Sequence, residues 1–176
     1  LILHRQLLTN RARRVLIVVP DSLVNQWLVE MLRRFNLRFA IFDSERFEQE
    51  ETENPFESEQ RVICSLEFLT GNPEVARAAL QTEWDLLVVD EAHHLHWSPD
   101  ESSIEYNIVE QFALHIKRLL LLTASPEQMG LESHFARLRL LDPQRYPDFE
   151  TYKDEHDRYA EVAADINERL ESMDEQ

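Results

Sequence analysis

Asp90 and Glu91 stand side by side where an apolar run, Leu86 to Val89, stops, and His93 follows two residues later. Adjacent carboxylates at the end of a buried segment are costly unless they are hydrogen-bonded, hydrated or balanced by a cation. A divalent metal bound together with a nucleotide supplies that balance. In that arrangement Asp90 holds hydrated Mg²⁺ and Glu91 polarises an attacking water. Ala92 keeps the turn narrow, and His93 offers two ring nitrogens to groups across a cleft. The same acids at a helix start would also complement the helix dipole with no metal involved. What surrounds the pair decides between the two readings.

The residues before the pair read as a strand. Leu86 to Val89 is apolar at every position, as expected of a parallel strand covered on both faces, and open α/β sheets bind ligands at the carboxyl edge of such strands. Four further segments share the pattern. Arg13 to Val19 is a buried strand stopped by Pro20, with Asp21 or Ser22 placed to cap a helix running from Leu23 to Phe35. Its apolar stripe is Trp27, Leu28, Met31, Leu32 and Phe35. Leu37 to Phe42 alternates as a short strand, and Arg61 to Cys64 is another, with Ser65 placed to cap the next turn. Leu119 to Thr123 is the fifth. Asn72-Pro73 opens a helix through Leu80, and Ser102-x-x-Glu105 is a capping-box pattern for a helix reaching about His115. Strand and helix in alternation predict an α/β fold, a parallel sheet with helices on both faces.

The chain has 176 residues and a net charge of −16, which argues against a protein that coats nucleic acid. The charge is uneven: residues 1–42 hold seven Arg against Asp21 and Glu30, net +5, so the remainder carries −21. A local basic face fits beside an acidic body. Between Asp43 and Gln60 eight acids meet one Arg, a run read here as a solvated connection too polar to build core. Cys64, the single cysteine, has no partner for an internal disulfide and sits in an apolar run, which suits core packing in a reducing compartment. No apolar run approaches the ~20 residues needed to span a bilayer, so a cytoplasmic protein with no membrane partner is expected. His93, His94 and His96 crowd within four positions with no cysteine nearby, an unfavourable zinc set. Gly71 and Gly130 are the only glycines, so a phosphate-cradling G-x-x-x-x-G-K-[ST] loop cannot be written. Leu1 to Leu8 is helical in pattern without a start signal, and reads as a helix entered partway, with such a loop expected upstream.

Asp90-Glu91-Ala92-His93 resembles the DEAH-box form of the Walker B motif in superfamily-two helicases and Swi/Snf-type translocases. Leu119 to Pro126 resembles motif III of the same family, with Ser125 where a threonine is usual. The turn from Pro20 through Gln26-Trp27 resembles motif Ia, and Ser65 with its flanks resembles motif Ib. Within the family the chain is most similar to the bacterial, RNA polymerase-associated branch over Arg14 to Pro143 at least. The resemblance implies the first RecA-like lobe of a Swi/Snf-type ATPase, lacking the phosphate-loop strand. Residues 1–145 would form that partial lobe, and residues 146–176 a charged helical tail or linker anchored by Tyr152, Tyr159, Val162 and Ile166.

The activity so implied is an ATP- and Mg²⁺-dependent translocase on double-stranded DNA or DNA–RNA that binds RNA polymerase core and promotes its recycling in transcription. By resemblance, Asp90, Glu91 and His93 are the catalytic set, and Thr123, Ala124 and Ser125 couple hydrolysis to movement. Pro20, Ser22, Gln26 and Ser65 are the nucleic-acid contacts. Ser22 and Gln26, with Asn25, also read as capping and solvated helix surface, and Ser125 as a cap for the following helix. The alternative function is a non-catalytic module that contacts polymerase or nucleic acid. In the family order the Leu119–Thr123 strand would lie at an open sheet edge, a template for self-association.

Overall fold

The structure, a computed structural model, describes residues 1–124 and 130–174. Five strands form one parallel sheet: β1 (Val15–Val19), β2 (Ala40–Phe42), β3 (Arg61–Ser65), β4 (Leu86–Val89) and β5 (Leu119–Leu121). Their order across the sheet is β2-β3-β1-β4-β5. Central β1 is matched Val15 to Arg61 on one side and Val15 to Leu86 on the other, and all five of its residues are buried. A strand closed on both faces has no use for polar side chains, which is why β1 and β4 are unbroken aliphatic runs.

Alternate strand residues feed two cores. Val15, Ile17, Val19, Leu86 and Val88 pack with Leu3 of α1 (Ile2–Leu8) and with Val24 and Met31 of α2 (Val24–Phe35). Leu16, Val18, Leu87 and Val89 face the other way, onto α4 (Leu66–Gly71), α5 (Pro73–Gln81), α6 (Ile104–His115) and α7 (Gly130–Leu141). The helix after β1 therefore covers one face and the helix after β4 the other. The carboxyl ends of these neighbouring strands open a crevice between them, the position at which doubly wound sheets hold ligands.

Local signals account for most boundaries. Ser65 Oγ accepts the Phe68 N–H at 3.0 Å, and Asn72 Oδ1 accepts the Glu74 N–H at 2.9 Å. The helix α2 ends at Asn36, whose left-handed backbone (φ 53°) lets its N–H reach the Leu32 carbonyl. Two expected caps are corrected. Neither Asp21 nor Ser22 caps α2, because the chain enters it through a 3₁₀ turn, Asp21–Leu23, whose Leu23 N–H bonds to the Pro20 carbonyl. The cap of α6 is Ser103, accepting from the Tyr106 N–H at 3.1 Å, while Ser102 Oγ turns to Asn107 Oδ1.

The acidic run is the larger correction. Residues 43–60 are not merely a solvated connection: they hold α3 (Ser44–Gln49) and a 3₁₀ turn, Pro55–Ser58, in which Pro55 and Phe56 are buried. Phe56 is fully enclosed and stacks on Phe42 at 5.0 Å, with Phe47, Phe68 and Trp84 around it. The carboxylates stay at the surface, where Arg46 pairs with Glu59 and Glu50. Two aromatics, enclosed Phe56 and half-buried Phe47, thus supply the core contribution that the charge count obscures.

The helix α8 (Phe149–Asp174) follows α7. Phe149 and Tyr152 each lie 5.4 Å from the ring of Phe135 and tie its first turn down. Of the four expected anchors only Tyr152 serves, since Tyr159, Val162 and Ile166 are 76%, 57% and 50% exposed. Among the described residues no helix is long and apolar enough to cross a membrane.

Candidate functional site

The crevice end of β4 carries the carboxylate pair. The Asp90 N–H donates to the Val18 carbonyl at 2.9 Å, extending the ladder one residue past the strand and fixing Asp90 against β1. Glu91 then takes a left-handed conformation, φ 50° and ψ 43°, and the 3₁₀ turn Ala92–His94 begins. That backbone costs a non-glycine residue of order 1 kcal/mol or more. It turns the chain out of the sheet within one residue, where Ala92 is fully buried and its N–H bonds to the Leu122 carbonyl at 2.8 Å. The Leu122 N–H in turn bonds to the Val89 carbonyl at 2.8 Å. These bonds stitch the end of β5 to the acidic turn.

Both Asp90 oxygens are engaged. Oδ1 accepts the Glu91 N–H at 3.0 Å, and Oδ2 accepts the indole N–H of Trp27 at 2.6 Å. Each carboxylate oxygen has a second lone-pair direction to spare. Glu91 Oε2 lies 3.0 Å from His93 Nδ1, off the hydrogen-bonding direction, and both atoms are enclosed without an aligned partner. Thr123 Oγ1, one residue beyond the Leu122 bridge, is also enclosed and unpartnered. His94 is exposed, its ring 4.1 Å from that of His93.

A magnesium ion fits these residues. The oxygens of Asp90, Glu91 and Thr123 are hard donors, and all three residues have unused bonding capacity, Asp90 in its spare lone pairs and the other two in unpartnered oxygens. Among the described residues no three His, Cys, Asp or Glu side chains converge into a metal cage. Mg²⁺ does not require one, since it keeps several waters and is held through one or two carboxylates together with substrate phosphates.

The other predicted site residues divide by position. Thr123 and Ala124 follow the bridge to the acidic turn, Thr123 half-buried and Ala124 exposed, while Ser125 lies outside the described residues. Pro20 is half-buried at the end of β1, and Ser22 and Gln26 are exposed on the turn and helix after it. The Asp21 N–H donates to Glu67 Oε2 at 3.2 Å, which places this turn beside α4 and its cap. Ser65 is 5% exposed and its hydroxyl is committed to Phe68, so its side chain faces inward. Trp27 is the site residue that sequence reasoning missed: it belongs to the apolar stripe of α2, yet its N–H reaches Asp90, 63 positions away. The available signal was the general need of an enclosed indole for an acceptor.

A profile of the SNF2-related domain matches residues 1–175. The RNA polymerase-associated protein RapA of Sodalis glossinidius (strain morsitans) is 58% identical over 165 residues, covering 93% of this chain and 17% of that protein. The chain thus spans about one sixth of the length of that relative. Among solved structures, the Sulfolobus solfataricus SWI2/SNF2 ATPase core in complex with dsDNA superposes with a TM-score of 0.66 at 20% identity, over 85% of this chain and 29% of that one. The Pyrococcus furiosus Hef helicase domain does so at 0.57 and 22%, over 76% and 28%. Both share the parallel five-stranded sheet flanked by helices, the fold of a RecA-like helicase lobe.

Proposed function

Because the chain belongs to the SNF2-related family, we propose that it forms the hydrolytic face of an ATP-driven translocase on double-stranded DNA or DNA–RNA. The observation that carries this reading is the acidic turn. Asp90 and Glu91 sit at the crevice end of β4, tied to β1 through Val18 and to β5 through Leu122, with enclosed oxygens left over. In this reading Asp90 holds hydrated Mg²⁺, which when bound neutralises phosphate charge. Glu91 takes the proton of the water that attacks the terminal phosphorus, and His93 is the side chain beside it, its Nδ1 3.0 Å from Oε2. Thr123, Ala124 and Ser125 pass the state of the site from β5 to the rest of the lobe. Pro20, Ser22 and Gln26 border the nucleic acid, and Ser65 contributes through the backbone it caps.

Similarity to RapA supports a protein that associates with RNA polymerase core and promotes its recycling in transcription, working in the cytoplasm. Residues 1–145 act as the lobe and residues 146–176 lead from it toward another part of the protein. With Gly71 and Gly130 as its only glycines, the 176-residue chain taken alone turns over no ATP. It self-associates through β5, which pairs only with β4 among the described residues.

The test is Glu91→Gln in the intact protein. Hydrolysis should fall by at least 10²-fold while ATP affinity holds within a few-fold, since the change removes the base and leaves the phosphate contacts. Unchanged turnover would return the chain to the class of non-catalytic binding modules. Loss of ATP affinity in step with turnover would make Glu91 part of the binding site instead.

A further inference from the structure

Asp90 receives one side-chain hydrogen bond among the described residues, and it comes from α2, which covers one face of the sheet. Trp27 lies in the first turn of α2, half-buried, with its indole N–H 2.6 Å from Asp90 Oδ2. The rest of the ring borders an apolar cavity of about 410 Å³ lined by Leu3, Met31, Val88, Leu120 and Leu122, among others. Oδ1 is already held by the Glu91 N–H. The carboxylate is therefore gripped at both oxygens, once by the backbone of its own turn and once by α2. At 2.6 Å to an ionised acceptor the indole bond belongs to the strong, charge-assisted class.

From this geometry we infer that Trp27 is a positioning residue for Asp90. Its N–H sets the direction in which the carboxylate presents its free lone pairs, and it makes that direction depend on where α2 sits. The exposed side of the same turn carries Gln26, with Ser22 just before it. A displacement of α2 by whatever lies against Ser22 and Gln26 is thus delivered to Asp90 through one bond. The inference rests on the reading of Asp90 as the metal-holding carboxylate. The competing account makes Trp27 a filler of the apolar space whose N–H takes the nearest acceptor.

The two accounts separate when an aromatic ring is kept at position 27 and the N–H is removed. In the intact protein loaded with ADP, Mn²⁺ serves as a spin-active substitute for Mg²⁺, and its affinity is read by electron paramagnetic resonance. Trp27→Phe should weaken Mn²⁺ binding by 10- to 100-fold, the usual effect of losing a partner that orients a metal ligand, while metal-free ADP affinity holds within twofold. Placed in an Asp90→Asn background, Trp27→Phe should add nothing further, because it acts only through that carboxylate. Mn²⁺ affinity within threefold of the unsubstituted protein overturns the inference, as does a loss that adds to that of Asp90→Asn or one matched by metal-free ADP. Should Trp27→Phe fail to fold, benzothienylalanine at position 27 keeps the bicyclic shape without the N–H and is read by the same criteria. Asp90→Asn alone decides the underlying reading: if it leaves Mn²⁺ affinity unchanged, Asp90 is not the metal carboxylate. If it weakens binding and Trp27→Phe does not, only the role of Trp27 falls.

Discussion

Phe56→Ala tests whether the acidic run is built into the fold. The Phe56 side chain is fully buried, stacked on Phe42 at an interplanar angle of 21° and edge-on to Trp84 at 83°. Truncating an enclosed phenylalanine removes its transfer energy and leaves a cavity, together worth about 3–5 kcal/mol. Lost aromatic pairings of ~0.5–1.5 kcal/mol each place the expectation in the upper half of that range. The bond from Arg14 Nη2 to the Phe56 backbone carbonyl at 2.9 Å does not depend on the side chain, so no charged group is orphaned by the change. A domain of this kind holds only ~5–15 kcal/mol in total. With a urea slope of about 2 kcal/mol/M, a loss of ~4 kcal/mol moves the midpoint down by roughly 2 M. Urea unfolding of the 176-residue chain, followed by far-ultraviolet circular dichroism and by tryptophan fluorescence, measures that shift. Glu53→Ala, at an exposed position of the same segment, should stay within ~0.5 kcal/mol. A Phe56→Ala loss below ~1 kcal/mol would show the segment to be a detachable connection, and the enclosure of its ring to be energetically empty.

Asp85 is the clearest source of acid sensitivity in the described residues. Partial burial pushes its carboxyl pKa up, but the N–H groups of Arg14 and Arg13 at 2.9 and 2.7 Å, with the charges of Arg118 and Lys117, carry it below the usual value. A depressed pKa contributes stability that is complete above the unfolded value of ~3.9 and is lost as pH falls through the folded one. Asp85→Asn should therefore cost about 1 kcal/mol at pH 7, after allowing for screening at a partly exposed site, and its unfolding curve should converge on that of the parent as pH drops below ~4. A constant gap between the two from pH 7 to pH 2 would refute the assignment. At the β5 edge of the sheet, light scattering of the 176-residue chain should show dimers or larger species that increase with salt, as screening shortens charge repulsion to ~8 Å. Leu121→Lys, checked for fold by circular dichroism, should reduce them, and a monomer at every salt and protein concentration would mean that the β5 edge is covered.

What could be read from the chain, and what could not, follows from how far each interaction reaches. The strands β1 and β4 are legible because burial on two faces forbids any polar residue, a constraint written into four or five consecutive positions. The caps at Ser65 and Asn72 are legible because a side chain closes on a backbone two or three residues away. The cap of α6 shows the limit of that logic. Ser102 and Ser103 both precede the helix, and Ser102-x-x-Glu105 satisfies the capping-box spacing, yet only the actual backbone trajectory selects Ser103. Phe56 escapes notice because hydropathy is an average over a window, and one enclosed ring among eight acids disappears in it.

The site divides along the same line, and the division bears on how it would work. The DEAH turn is local, so Asp90, Glu91 and His93 can be recognised in four letters, but the groups that constrain them are remote in sequence. Val18 holds the backbone of Asp90, Leu122 holds Ala92, and Trp27 holds the carboxylate itself. Each of the three belongs to a different neighbour of β4: the central strand, the edge strand and the helix that follows the central strand. A carboxylate fixed only by its own turn would be indifferent to the rest of the lobe. Held as it is, Asp90 registers movement of α2, whose entry the family resemblance assigns to nucleic-acid contact, and the turn after it registers movement of β5, whose end the resemblance assigns to coupling. Glu91 stands apart from that restraint: its backbone is strained and its Oε2 is enclosed without an aligned donor.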